Sequence, residues 1–268
     1  LVLLNAEELA GIWGEDETIG WVYQFFNGSD ERKKMRDESQ APRNSRELAV
    51  RNQFFTPRYV VQFLTDNTLG RIWIQMQGGV SSLVGRCLYW VRGEEPAAPR
   101  AKKDPRDLKV LDPACGSGHF LLYAFDLLLA IYEEAWADPR AARFSVTGTT
   151  LREDYADIQA LRRAVPALII EHNLYGVDID PRAAQIAPLA LWMRAQRAFL
   201  DFGIRANERA RINRTHIIVA EPMPGDTAMV DNFAAGLNPP LLRALFTKMV
   251  GEMRLAGELG PLIRIEEG

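Results

Sequence analysis

The stretch VLDPACGSGHFLLYAFD, residues 110–126, holds the residue types with the clearest chemical use in this chain. An apolar strand runs into an acid, Asp112, and then into a turn with two glycines, Gly116 and Gly118, before a helix begins. Glycines let the backbone approach a ligand closely, and the N-terminus of the following helix adds a partial positive charge. The pattern predicts a binding site for a small molecule at this turn.

The residues around the turn favour a nucleoside that carries an amino acid over a dinucleotide. A dinucleotide site has the spacing G-x-G-x-x-G, but Leu121 stands where the third glycine would be. The Asp112 carboxylate can accept hydrogen bonds from an ammonium group, which a pyrophosphate lacks. Asp178, at the end of the next predicted strand, can accept both hydroxyls of a ribose, with Ile179 beside the adenine. Together these residues predict S-adenosylmethionine, with its amino-acid end at Asp112 and its nucleoside end at Asp178.

Other reactive side chains are expected to take no part in the chemistry. Cys115 has no histidine or acid placed to activate its thiol, so we interpret it as a small residue that fits the turn. His119, His172 and His216 share no metal-ligand spacing, and no metal site is expected. His119 either contacts a cofactor carboxylate or simply begins the helix.

Composition limits the class of protein. The 268 residues are 47% hydrophobic and carry a formal net charge of -3, which fits a globular chain without an overall attraction to nucleic acid. Two cysteines, no apolar run long enough for a membrane span and no signal peptide favour the cytoplasm. The absence of an initiator Met suggests a piece of a longer protein.

The order of elements predicts an α/β fold with a parallel sheet. Strands are expected at 108–112, 173–181 and 215–222, and they alternate with helices at about 119–136 and 151–171. The helix at 119–136 is apolar nearly all round, which predicts that other elements cover it on more than one side.

Two further helices have proline near their start. Thr56 is expected to cap a helix with Pro57 at its first position, and Asp180 to cap another that begins at Pro181. The proline-rich residues 92–107 are predicted to be a surface connection. From these two helices, the side chains expected to face inward are Val60, Phe63, Leu64, Leu69, Ile186, Leu189 and Met193.

An aromatic cluster in and near the Thr56 helix allows two interpretations. It could be a platform on which nucleic-acid bases stack, or part of the core, and its helical spacing favours the core. The cluster consists of Phe54, Phe55, Tyr59, Phe63 and Trp73.

Several separated blocks resemble one enzyme family. DPACGSGHFL, from Asp112, is similar to the cofactor motif of adenine-N6 DNA methyltransferases of the Type I and Type IIG restriction kind. FFTPRYVV, from Phe54, resembles the Thr-Pro motif that lines the cofactor in those enzymes. The resemblance is closer still to the large methyltransferase of bacterial Pgl/BREX phage-defence systems, over roughly residues 19–266. It rests on IGWVYQFFN, FFTPRYVVQFLTDNTLGRIW, YGVDIDPRAAQIAPLALWMRA and EPMPGD.

This resemblance implies an S-adenosylmethionine-dependent methyltransferase fold, Rossmann-like and incomplete. An N-terminal helical region would occupy 1–53 and the cofactor-binding part 54–268, ending in a helical tail at 226–268. By the same resemblance, the cofactor contacts are Thr56, Pro57, Asp112, Pro113, Ala114, Cys115, Gly116, Gly118, Asp178 and Ile179.

The family's catalytic motif is where the chain departs from the resemblance. Such enzymes carry N-P-P-[YFW] after their fourth strand, where the Asn and the aromatic hold a flipped base. The candidate here begins at Asn238, has Leu241 in place of the aromatic and follows no buried strand. We therefore expect a turn and helix start rather than a degenerate catalytic loop. The catalytic motif and the parts that bind DNA are expected beyond the C-terminus, and this piece alone is expected to be inactive.

The leading hypothesis is the cofactor-binding fragment of a site-specific DNA adenine-N6 methyltransferase of restriction-modification or phage defence, working with defence-system subunits. The alternative is a non-catalytic S-adenosylmethionine-binding scaffold or sensing subunit of a defence complex. A nicotinamide-dependent oxidoreductase is disfavoured because the third glycine is missing. Glu221 either approaches the adenine edge or is a surface acid at a strand end.

Overall fold

The central element of the fold is a parallel sheet. The computed structural model describes residues 11, 18–24, 28–39, 42, 45–52, 56–93, 100–220 and 227–253. Within them, three parallel strands lie in the order β1 (Val110–Asp112), β2 (Leu174–Asp178) and β3 (His216–Val219). Leu111 lies opposite Tyr175, and Tyr175 lies opposite His216. The parallel α/β arrangement is the one that the order of elements predicted.

Helices precede the sheet, connect its strands and follow it. Before β1 lie α1 (Thr18–Gln24), α2 (Ser29–Glu38), α3 (Ser45–Asn52), α4 (Arg58–Thr65), a π-helical turn (Asp66–Gly70) and α5 (Arg71–Met76). Between the strands lie α6 (His119–Ala137), α7 (Leu151–Asp154), α8 (Ile158–Leu168), a second π-helical turn (Ile169–Asn173) and α9 (Pro181–Asp201). After β3 come α10 (Thr227–Gly236) and α11 (Pro240–Met253).

Helix α6 is the centre of the core. It contacts β1, β2, α4, α8 and α9, so other elements cover it on several sides, as its apolar sequence predicted. Its buried stripe is completely inaccessible to solvent and consists of Leu121, Phe125, Leu128 and Tyr132. Because a helix covered in this way cannot turn or slide without breaking many contacts, its N-terminus is fixed beside the glycine turn.

Helix α4 begins one residue later than predicted and presents a different face. Pro57 is the capping residue, with an extended ψ of 143°, and Arg58 is the first helical residue. Val61 and Thr65 are buried, whereas Phe63 and Leu64 are 43% and 45% exposed, so the inward face was wrong for these two residues. Thr65 can be buried because its hydroxyl donates to the Val61 carbonyl at 2.8 Å.

The inward face of α9 was also predicted wrongly. Asp180 caps the helix and Pro181 is its first residue, as expected, but Leu189 and Met193 are exposed. The buried face is largely alanine, and small side chains allow helices to approach closely. The buried residues are Ala183, Ala184, Ala187, Ala190, Leu191, Ala195, Ala198 and Phe199.

The predicted surface connection at 92–107 is buried at its C-terminal end. Arg106 is 4% exposed, and its guanidinium donates from Nε to Asp104 Oδ1 at 2.7 Å and from Nη1 to Asp154 Oδ2 at 2.6 Å. It also lies 4.4 Å from the centre of the Phe144 ring. These partners compensate the buried charge, which explains why polar residues enter the core here.

The helix predicted at 151–171 is divided by a break at Tyr155–Asp157 into α7 and α8. Thr150 caps α7 through its bond from the Glu153 N–H, and Asp157 caps α8 through its bond from the Ala160 N–H. Each cap accepts a hydrogen bond from a free backbone N–H group in the first turn of its helix. Two such caps close together favour two short helices over one long helix.

In the residues described, no helix is long and apolar enough to cross a membrane.

We predict that Arg106→Met lowers the free energy of unfolding by about 3–5 kcal/mol, because Asp104 would remain buried without its cation. The matched control is Arg143→Met, since the Arg143 side chain is 61% exposed in its ion pair with Glu153 and its loss should cost less than about 1 kcal/mol. Urea unfolding of both variants measures the difference. Equal losses would contradict the structural role of the buried pair.

Candidate functional site

The glycine turn between β1 and α6 is attached directly to β2. The Cys115 N–H donates to the Val177 carbonyl at 2.9 Å, which continues the sheet ladder past the end of β1. The Gly116 N–H donates to Asp178 Oδ2 at 2.7 Å. The structure therefore brings the turn and the acid at the end of β2 together, as the sequence predicted, at the carboxyl edge of the sheet.

Glycine is favoured at the two positions of the turn for different physical reasons. Gly116 has a φ of +53°, and a Cβ added there would meet nothing within 4 Å, so open space lies beside it. Gly118 has a φ of +95°, and its Cβ would lie 3.3 Å from the Cβ of Ala187. Gly118 therefore allows the close packing of α6 on α9, whereas Gly116 takes a backbone conformation that favours glycine and leaves open space beside it.

Gly176, in the middle of β2, was not singled out from the sequence, although the turn depends on it. A Cβ there would lie 2.9 Å from Cys115 Sγ and 2.7 Å from Ile217 Cδ1. One sequence signal was its place inside a largely apolar strand, where an isolated glycine can mark a close approach of another part of the backbone. Another was the resemblance block YGVDIDPRAAQIAPLALWMRA, which contains Gly176.

Asp112 carries a carboxylate oxygen whose burial is uncompensated. Oδ1 accepts from the Ala114 N–H at 3.1 Å, whereas Oδ2 is buried without a hydrogen-bond partner in the part of the chain that the structure describes. Burial, together with the nearby Asp178 carboxylate, raises the pKa of Asp112 above its ordinary value. An unpartnered carboxylate oxygen favours the arrival of a cationic donor.

Asp178 is already partly satisfied by the backbone. Oδ2 accepts from Gly116 and Oδ1 accepts from the Asp180 N–H at 2.8 Å. Each oxygen has a further lone pair, so the carboxylate can hold the turn and still accept from hydroxyl groups. Ile179 follows it and is half-buried.

The shifted pKa values of Cys115 and His119 argue against nucleophilic or acid-base roles for these side chains. Burial and the carboxylates of Asp112 and Asp178 raise the pKa of Cys115 to about 12, so its thiol stays protonated at neutral pH. Burial lowers the pKa of His119 to about 4, so its imidazole is neutral. Among the residues described, no group of three or more His, Cys, Asp or Glu side chains could hold a metal ion.

Helix α1 lies on the glycine turn, a contact that sequence reasoning missed. A Cβ on Gly20 would lie 2.5 Å from Ser117 Oγ and 2.7 Å from His119 Cε1, so only glycine fits there without a shift. The available signal was the resemblance block IGWVYQFFN, which contains Gly20.

A polar anchor joins α1 to the start of α9. The Tyr23 hydroxyl donates to Asp180 Oδ2, and Arg182 donates to the same oxygen at 3.0 Å. Burial and the bond to Asp180 raise the pKa of Tyr23 above its ordinary value, so the phenol remains a donor. The anchor fixes α1 beside the carboxyl edge of β2.

The other residues predicted to contact the cofactor lie either in the glycine turn or at the start of α4. Pro113 and Ala114 are exposed in the turn itself, and Thr56 and Pro57 are half-buried at the start of α4, which packs on α6. No described hydrogen bond joins Thr56 to the turn. Glu221 lies outside the described residues.

Asn238 and Pro239 lie in the turn between α10 and α11, and Pro240 begins α11. Leu241 is 67% exposed. The preceding DNFAAG sequence is part of α10, so the expected turn and helix start are confirmed at this position.

Many α/β proteins bind their ligands at the carboxyl edge of a parallel sheet, and this chain carries a glycine turn and paired acids at that edge. Residues 100–217 match the family described as MmeI, DNA-methyltransferase domain. The chain is 35% identical over 207 residues to the adenine-specific methyltransferase BrxX of Escherichia coli O9:H4 (strain HS), an alignment of 73% of this chain and 15% of that protein. It is 28% identical over 266 residues to the adenine-specific methyltransferase PglX of Lacticaseibacillus casei (strain Zhang), covering 94% of this chain and 19% of that protein.

The resemblance to adenine-specific methyltransferases that the motifs predicted is therefore confirmed. The chain spans less than a fifth of the length of each of these two relatives.

We predict that Gly176→Ala lowers the free energy of unfolding by about 1–3 kcal/mol, because the added methyl group overpacks the contact with Cys115 and Ile217. Gly85→Ala is the control, since a Cβ at Gly85 would meet nothing within 4 Å. Urea denaturation followed by circular dichroism measures both. A loss no larger for Gly176→Ala than for Gly85→Ala would argue against a tight contact between turn and strand.

The pH dependence of stability should report the burial of His119. Its pKa falls from 6.5 to about 4 on folding. Between these values the unfolded chain binds a proton that the folded chain does not, so His119 lowers the free energy of unfolding as the pH falls through this window. His119→Gln should reduce the loss of stability between pH 6.5 and 4, on the order of 2 kcal/mol after allowance for solvent screening. Parallel stability curves for the two proteins would be evidence against it.

Proposed function

We propose that residues 54–268 form the S-adenosylmethionine-binding part of a DNA adenine-N6 methyltransferase. The three parallel strands would belong to a Rossmann-like methyltransferase fold, and residues 1–53 would form an N-terminal helical region. The relatives named adenine-specific methyltransferases support this reaction. Because the chain spans a small share of them, the activity on DNA is proposed for the whole protein.

The observation that carries the proposal is the unpartnered Oδ2 of Asp112. It lies at the end of β1, next to the strand that ends in Asp178, and this oxygen has no donor within the described residues, whereas Oδ1 accepts from the Ala114 N–H. The ammonium group of a methionine moiety supplies such a donor and a compensating charge. Since Oδ2 is shielded from solvent, the ligand would reach it only after a local movement of the covering groups.

Asp178, Ile179 and Gly116 support the nucleoside end of the same ligand. Asp178 would accept from ribose hydroxyls with its free lone pairs, and the open space beside Gly116 would admit the ligand next to the backbone. We propose that Ile179 packs on the adenine and that Thr56 and Pro57 line the cofactor from α4. Pro113, Ala114, Cys115 and Gly118 would shape the turn.

When bound, S-adenosylmethionine supplies a methyl group on a sulfonium centre. This chain's residues would hold the two ends of the cofactor and fix its orientation, which contributes to the rate through positioning. The high pKa of Cys115 and the low pKa of His119 keep both side chains uncharged at neutral pH, so neither adds a charge beside the cofactor.

We propose that residues 238–241 do not hold a target base. Asn238 precedes a helix, and the exposed Leu241 offers no ring for stacking. The target base would therefore be held, and its sequence recognised, by other parts of the protein, in restriction-modification or phage defence together with partner subunits.

The same observation favours a second candidate, a non-catalytic S-adenosylmethionine-binding scaffold or sensing subunit. Both candidates require cofactor binding, and they differ in methyl transfer. Labelled methyl transfer to adenine by this chain, abolished by Asn238→Ala, would contradict our assignment of residues 238–241 and exclude the scaffold.

We predict that Asp112→Asn weakens the binding of S-adenosylhomocysteine by about 10- to 150-fold, the equivalent of about 1.5–3 kcal/mol for a charge-assisted hydrogen bond. The same substitution should leave the stability of the ligand-free chain unchanged or higher, because it removes a buried charge without a donor. Calorimetry and urea unfolding measure the two effects.

The control is Asp201→Asn, which removes an exposed carboxylate at the end of α9 and should change neither quantity. Asp178→Ala is less informative, because it also removes two bonds to the turn and to Asp180. Absence of binding heat with the unaltered, folded chain at millimolar ligand would overturn the proposal, as would full affinity in Asp112→Asn.

A further inference from the structure

Helix α4 and the residues that follow α5 expose three aromatic rings. Tyr59 and Phe63 are 60% and 43% exposed, and they lie one turn apart on α4. Tyr89 is 40% exposed. Of the aromatic cluster expected in the core, only Trp73 is buried among the described residues, while Phe54 and Phe55 lie outside them.

Hydrogen bonds with Asp66 and Asn67 hold residues 89–91, here called the Tyr89 segment, against the end of α4. Asp66 is completely buried and accepts from the Tyr89 N–H at 3.0 Å and from the Tyr123 hydroxyl at 2.8 Å. The Asn67 side chain donates to the carbonyls of Phe63 and Tyr89, at 2.8 Å each, and accepts from the Val91 N–H. The exposed rings are therefore presented by a rigid support rather than by a loose loop.

Within residues 56–93, the exposed charged side chains are all arginines. Residues 56–93 contain four arginines, no lysine or glutamate and a single aspartate, the buried Asp66. All four arginines are exposed, and none forms an ion pair within the described residues; they are Arg58, Arg71, Arg86 and Arg92. Arg92 lies 5.4 Å from the centre of the Trp90 ring. This segment is basic in a chain whose net charge is -3, and Glu94 and Glu95 follow it in the sequence.

We propose that Tyr59, Phe63, Tyr89, Arg58 and Arg92 form a binding surface for a single-stranded stretch of DNA. We refer to these five residues as the aromatic–arginine surface. The rings would stack on unpaired bases and the guanidinium groups would contact phosphates. The inference rests on the proposed function and deepens it by naming where this chain meets the DNA strand.

The combination of rings and arginines selects this partner. A purely apolar surface would suit protein packing, and a purely basic one would suit the backbone of intact duplex DNA. Exposed rings need bases that are out of the stack, and a nucleotide extruded for methylation leaves the DNA locally unstacked. The exposed arginines of this segment complement the phosphates of the same strand.

Fluorescence anisotropy with a labelled single-stranded oligonucleotide tests the surface in the full 268-residue chain. Tyr59→Ala and Phe63→Ala should each weaken binding by about 5-fold or more, which is the loss expected for one stacked base. Arg92→Gln should reduce the slope of log affinity against log salt by about 0.7, the value for one contacted phosphate. Trp192→Ala and Arg211→Gln are the controls, an exposed ring and an exposed arginine elsewhere, and should leave binding unchanged.

The inference is overturned if the unaltered chain does not bind single-stranded DNA, or if Tyr59→Ala and Phe63→Ala bind as tightly as the unaltered chain. It is also overturned if the ring variants abolish self-association in sedimentation without changing DNA affinity, since the surface would then pair two copies of the chain. Cofactor calorimetry on Phe63→Ala separates the two proposals, because this variant should retain its affinity for S-adenosylhomocysteine. If the unaltered chain binds no cofactor yet shows ring-dependent DNA affinity, the proposed function fails and the surface stands.

Discussion

The close contact between the glycine turn and β2 is the constraint on which the rest of the site depends. Gly176 leaves no space for a side chain between β2, Cys115 and Ile217, and this closeness lets the turn continue the sheet ladder through the Cys115 N–H. Once the turn is attached there, Asp112 and Asp178 must lie side by side at the same edge. The direction of α6 follows, because Gly118 sets the helix against Ala187.

The two acids at that edge are electrostatically unequal. Asp178 has backbone donors on both oxygens, so its charge is compensated before any ligand arrives. Asp112 has one oxygen without a donor, and burial and its neighbour raise its pKa. Such a group costs stability in the ligand-free chain and strengthens the attraction for a cation. The unequal pair therefore fits the cofactor site that we propose, because Asp112 attracts a cation more than it stabilises the fold.

Buried polar contacts, rather than apolar area alone, position the elements around the site. Tyr23 and Asp180 fix α1 on the turn, Asp66 holds the Tyr89 segment, and Arg106 joins the approach to β1 to α7. Hydrogen bonds of this kind are directional and specify one arrangement where apolar contacts would tolerate several. The helices before β1 are thereby placed so that α1 covers the turn while α4 leaves its rings exposed.

The sequence by itself determined the parallel α/β order, the glycine turn, the acids at the ends of two strands and the cap at Asp180, because each of these depends on local spacing and backbone preference. It did not determine which face of α4 or α9 is buried. Phe63 and Leu189 are more apolar than the residues that replaced them inside, but alanines permit the close packing of α9, and a hydrogen bond allows Thr65 to be buried. The roles of Gly20, Gly176 and Arg106 were likewise decided only by the tertiary structure. Their reasons are contacts with residues distant in the chain, and no local pattern contains that information.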